Sequence, residues 1–99
     1  MLEKHGLIDE NAIVCNHQKL WKCCQCVAGA SLQAANLLTT SNDEHCIAIN
    51  WGGGRQHAGP SLASGFCFMN DIALSMHNLS QHYDKTSYVD INTHYGDGI

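Results

Sequence analysis

The stretch WGGGRQHAGPSLASG, residues 51–65, constrains this chain more than any other part of it. It holds five glycines and the only proline, at Pro60. Neither a helix nor a strand interior tolerates that composition, because glycine raises the entropic cost of ordering and proline removes a backbone donor. The fold must therefore carry a long loop here, between whatever flanks it. On one side HCIAIN, residues 45–50, is short and apolar and reads as a buried strand. On the other, residues 70–83 have a helical period with Ile72, Met76, Leu79 and Tyr83 on one stripe. Asn70 or Asp71 is placed to cap that helix.

Further out, residues 86–91, TSYVDI, read as a second strand. Residues 17–38 predict a longer helix, with Leu20, Cys24, Val27, Ser31, Ala34 and Leu38 along one stripe. Trp21, Ala28 and Ala35 make the neighbouring face apolar too, so that helix should be covered on more than one side. TTSNDE at 39–44 breaks it, and residues 1–16 carry no clear period and read as loop. Helix, strand, glycine loop, helix, strand is an α/β order. The last four parts make a βαβ unit, which predicts parallel strands and a right-handed crossover.

Ninety-nine residues allow one small domain, covering 1–99, with no internal repeat. Charged residues are 14% of the chain against about 25% in a typical soluble domain. A slice of a larger fold would look like this, since faces that meet other elements stay apolar. The net charge is -4 and the five Lys and Arg are scattered, which argues against direct nucleic-acid binding. No apolar run is long enough for a membrane span, and the N-terminal residues lack a signal-peptide core. A nuclear or cytoplasmic setting follows. The six cysteines include no second Cys or His pair at finger spacing, so free, buried thiols are expected rather than bridges or a zinc finger.

In an open parallel sheet, ligands gather beyond the carboxyl ends of the strands. The glycine loop follows the first predicted strand, and DINTHYGDG finishes the second. His57 and His94 should then emerge on the same sheet edge. Asp90, Asn92 and His94 alternate, so in extended backbone they share a face. A histidine nitrogen with one or two oxygens could begin a zinc site. A polar strand end satisfying loop amides has the same spacing, and spacing alone leaves both open. Gly54 and Gly59 match the spacing of a phosphate loop, but Pro60 and Ser61 follow where Lys and Ser or Thr are needed. Cys67, inside SGFCFMND at 64–71, reads as a nucleophile or as core before a helix.

These stretches together resemble the zinc-dependent histone deacetylases, closest to the class I type. The resemblance rests on GLIDE at 6–10, VAGASLQAA at 27–35, INWGGGRQHAGPSLASGFCFMNDIAL at 49–74 and YVDINTHYGDGI at 88–99. It covers nearly the whole chain. It implies a partial three-layer, mostly parallel-sheet deacetylase fold, of which the chain resembles an internal slice. It also implies site roles. His57 matches the histidine that serves as general base and acid. Gly65 and Phe66 match the wall of the acetyl-lysine tunnel. His94 and Asn92 stand at zinc-ligand positions, and Asp90 matches a carboxylate behind the metal that helps hold a potassium ion.

The chain departs from the family pattern at two of these places. Gln56 stands where the family has a second histidine, and Asn92 where it has an aspartate. An amide carries no charge to hold a cation, and a glutamine cannot shuttle a proton. The expectation is therefore a histone deacetylase homologue with weak or absent zinc binding. Hydrolysis of acetyl-lysine on histones or other proteins would be lost or very weak. The alternative is a non-catalytic chain acting through protein contacts, corepressor-type partners among them.

Overall fold

The computed structural model describes residues 17–99, with side chains from Gln18 onward. The loop reading of 1–16 and the GLIDE motif lie outside the described residues.

Helix α1 spans His17–Thr40, and helix α2 spans Asp71–Ser80. At 1.5 Å per residue, the 24 residues of α1 make a rod of about 36 Å. Its end falls where TTSNDE predicts it. The hydroxyls of Thr39 and Thr40 both bond back to the Asn36 carbonyl, and the Ser41 side chain then accepts the Asp43 amide. Hydroxyls that bond their own backbone compete with the helix ladder, which helps stop α1 here.

Asn70, not Asp71, caps α2. Its backbone is extended and its Oδ1 accepts the Ala73 N–H at 2.9 Å. The two helices pack across a groove between Ser31, Ala34, Ala35 and Leu38 on α1 and Ile72, Ser75, Met76 and Leu79 on α2. The small α1 residues permit close approach. Side chains pin the far end: Asn78 donates to Asn36 at 3.2 Å, and the Tyr83 hydroxyl donates to the Leu38 carbonyl at 2.8 Å. On the second apolar face of α1, Ala28 and Ala35 are buried, while Trp21 remains 55% exposed. No described helix is long and apolar enough to cross a membrane.

The α/β expectation does not hold: the described residues form two helices and no strand. Among the described residues the only β-type contact is an isolated antiparallel bridge between Ser64 and Cys67. No backbone hydrogen bond links residues 45–50 to residues 86–91. A strand exists only through its ladder, whereas an apolar run reports just a demand for burial. That demand is unmet here. Ile47, Val89 and Ile91 are 86%, 79% and 96% exposed. The partial three-layer sheet and its parallel crossover are therefore absent from residues 17–99.

Among the described residues the buried apolar set is small: Ala28, Ala35, Ala58 and Cys67. The five described cysteines are free thiols as expected, but only Cys67 is buried. Burial pushes the half-buried Cys24 thiol up from its ordinary value, with the neighbouring Cys23 adding to it. The buried polar side chains are Ser31, Gln56, Asn70 and Asp71. Asn70 and Asp71 hold the glycine loop.

Candidate functional site

The glycine loop is moored by a buried carboxylate. Asp71 is 1% exposed, and its oxygens accept the backbone N–H of Gly54 at 3.1 Å and of Arg55 at 2.8 Å. The Ser31 hydroxyl donates to the same carboxylate from α1. Asn50 donates to Ser31 Oγ at 2.8 Å and accepts the Gly52 N–H at 3.1 Å, which extends the network to the loop's entrance. A buried carboxylate is stable only when donors replace its lost water, and loop amides supply them here. The mooring fixes the backbone two residues before His57.

His57 lies beyond that anchor. Its Nδ1 sits 2.6 Å from Asp97 Oδ1. Its ring meets the His94 ring edge to face, with centroids 6.3 Å apart. The two histidines do meet, although no sheet edge delivers them. The loop's exit places Gly65 against the His57 ring. Ser64 and Cys67 exchange both backbone bonds, at 3.1 and 2.7 Å, around Gly65 at φ 52° and Phe66 at φ 62°. Two positive φ angles inside such a pair make a type I′ turn. Gly65 is required there: a Cβ would fall 2.6 Å from His57 Cγ and Cδ2. Phe66 is a bulky side chain in left-handed backbone, which costs on the order of 1–3 kcal/mol. Its ring is 68% exposed.

The third segment bonds mainly to itself. Asp90 accepts the Tyr88 hydroxyl through one oxygen and the Asn92 N–H through the other, each at 2.8 Å. Asn92 Oδ1 accepts the His94 N–H at 2.8 Å and lies 3.2 Å from His94 Nδ1. The Asn92 amide and the Tyr88 hydroxyl hold the Asp90 carboxyl below its usual range. The His57 hydrogen bond does the same for Asp97. Gln56 is 5% exposed, and its carbonyl accepts the Gly98 N–H at 2.8 Å.

The residues present do not fit a tight zinc site. Among the described residues no three His, Cys, Asp or Glu side chains gather to hold a metal ion. Asn92 is neutral, and its oxygen is spent on the residue that would be its fellow ligand. Both Asp90 oxygens are likewise engaged within the segment, by the Tyr88 hydroxyl and the Asn92 N–H.

Three residues here escaped sequence reasoning in their present roles. Asp97 was visible only as one letter in a Gly-Asp-Gly turn, yet it is the partner of His57. Asp71 read as a capping candidate, but it serves the glycine loop. The signal for it was the loop's own run of N–H donors, which needs an acceptor somewhere. Asn70 was expected only at the cap, and its amide nitrogen also reaches Ala58 and Gly98.

Comparison with known proteins supplies the family context. The pattern of the histone deacetylase domain matches residues 2–99. The chain is 48% identical to probable histone deacetylase 19 of Zea mays over 80 residues, which are 81% of this chain and 15% of that protein. It is 46% identical to histone deacetylase clr6 of Schizosaccharomyces pombe over 80 residues, 81% of this chain and 19% of that one. Against type-1 histone deacetylase 1 of Dictyostelium discoideum the identity is 42% over 80 residues, 81% of this chain and 16% of the other. The chain thus spans less than a fifth of the length of these relatives. No solved structure matches it.

Proposed function

The chain belongs to the histone deacetylase family, and on that premise we propose that it keeps the family's proton-transfer pair but lacks its hydrolytic centre. His57 is the proton carrier in this reading. With its Nδ1–H donated to the Asp97 carboxylate, the neutral ring presents Nε2 as the base. Gly65 and Phe66 form the wall against which an acetyl-lysine side chain would lie. Gly65 leaves room for the His57 ring, and Phe66 offers an exposed aromatic face.

A proton carrier alone does not hydrolyse an amide. The reaction also needs a nucleophilic water and a counter-charge for the oxyanion. Asn92 and His94 stand at the positions that would serve these needs. The single observation that carries the proposal is that the Asn92 oxygen is turned onto the His94 backbone instead of toward a shared cation. The chain by itself should therefore not turn over acetyl-lysine, whether on histones or on other proteins. Nuclear residence belongs to the same proposal.

The test is turnover of an acetyl-lysine peptide by the purified 99-residue chain, with His57→Ala as control. The proposal expects no difference between the two. Zinc-dependent product that His57→Ala abolishes would contradict it.

A second reading, action through protein contacts, is favoured by the apolar surface that residues 45–51 and 89–95 leave open. Trp51, Ile91 and Tyr95 are 92%, 96% and 86% exposed. Large apolar side chains left in water are candidates for contact with another protein.

A further inference from the structure

We infer that Asn70 is the positioning residue that sets the His57–Asp97 pair. Its side chain does two jobs at once. The oxygen accepts the Ala73 N–H and caps α2. The nitrogen donates to the Ala58 carbonyl and to the Gly98 carbonyl, both at 2.9 Å. Ala58 directly follows His57, and Gly98 directly follows Asp97. One NH2 group therefore fixes the separation of the two backbone units that carry the pair.

Two further contacts close the arrangement. The Gly98 N–H donates to the Gln56 carbonyl at 2.8 Å, so residues flanking His57 on both sides are tied to Gly98. A side chain at Gly98 would collide with the Ala58 and Gln56 carbonyls, and only glycine lets the two backbones approach this closely.

The pair could not set itself. The His57 and Asp97 side chains are 22% and 52% exposed, where water and salt weaken an ionic contact. Asn70 and Ala58 are buried, at 9% and 1% exposure, where an amide–carbonyl bond is costly to leave unmade. Precision at the exposed pair is imported from the buried amide behind it. Because α2 is capped by the same side chain, the helix end and the pair share one anchor. The inference rests on geometry and deepens the reading of His57 as a proton carrier.

The experiment separates the two jobs in the full 99-residue chain. Aspartate and serine cap helices about as well as asparagine, but neither offers two N–H donors. Asn70→Asp and Asn70→Ser should therefore keep α2, seen in its backbone amide shifts. The imidazole nitrogen shifts of His57 report the tautomer and the Nδ1–H bond. In both variants they should move most of the way to the values found in Asp97→Ala, where the pair is removed outright. Unchanged His57 nitrogen shifts with α2 intact would overturn the inference. Should either substitution unfold the chain, the unmodified chain decides. Slowly exchanging Asn70 amide protons with scalar couplings to the Ala58 and Gly98 carbonyls support the inference, and their absence overturns it. None of these readouts needs turnover, so the hydrolase reading and this one can fail separately.

Discussion

The glycine loop and the segment 88–95 carry the two motifs of this chain, but they are held in different ways. The loop is fixed from outside itself. Asp71 and Asn70 bond it across 12 to 17 residues of sequence, and Ser31 bonds Asp71 from 40 residues away. Segment 88–95 is fixed chiefly by itself, through side chains that bond two residues away. Long-range bonds at buried sites give a side chain one position. Local bonds in exposed backbone give it a shape but no address. His57, the proposed proton carrier, sits in the addressed region, and the proposed ligand positions Asn92 and His94 sit in the other.

Removing the address should have the largest effect. Asp71→Ala strips the acceptor from Gly54 and Arg55 and from the Ser31 hydroxyl. Leaving such buried donors unpaired costs about 2–4 kcal/mol in total. Chemical denaturation should show that loss, and the His57–Asp97 bond should go with it. Asp90→Ala, the matching deletion in the self-bonded segment, should leave the denaturation midpoint unchanged. Equal effects from the two would erase the contrast.

Gly65→Ala comes next. Left-handed backbone costs a residue with a Cβ about 1–2 kcal/mol, and the new carbon must also displace the His57 ring. Denaturation reads the first effect, and the chemical shift of the His57 ring reads the second.

Asn92→Asp sharpens the comparison from the other side. It restores a negative charge at a ligand position, which should raise zinc affinity by about tenfold or more, the scale on which even groups behind a ligand act. Calorimetric titration of both chains measures it. No change would mean that the neutral amide is not what weakens the site.

The smallest effect concerns acid. Asp97 and Asp90 are held below their ordinary range by hydrogen bonds, that from His57 and that from the Asn92 amide respectively. A carboxyl with a lowered folded value stabilises the fold above its unfolded range and loses that contribution as pH falls through the lowered value. Both groups lie in water, so the effect should be small and should shrink with salt. Carboxylate NMR shifts on acid titration should show both groups protonating below a free aspartate. A value at or above the free one would remove the hydrogen-bond account.

What could be read from the residues divides along the same line. The helices were legible, because a period of three to four apolar residues needs only one covered face, and α1 and α2 cover each other. A cap at Asn70 or Asp71 and a break within residues 39–44 were legible as local chemistry, and the structure selects Asn70 and carries the helix to Thr40. The strands were misread because HCIAIN and TSYVDI announce a wish for burial, and nothing within them says which neighbour would grant the ladder. The meeting of His57 and His94 was anticipated, but for a reason the structure does not supply: the rings meet with no sheet edge to deliver them. Asp97 was illegible because a turn aspartate has many uses, and only its distance to His57 selects one.

The account's central claim is that the two ligand-position residues bond each other and leave no tight seat for a divalent cation. Zinc retained by the purified 99-residue chain after dialysis against trace zinc tests this most directly. The account predicts well below one equivalent per chain. One equivalent, lost on His94→Ala, would contradict it.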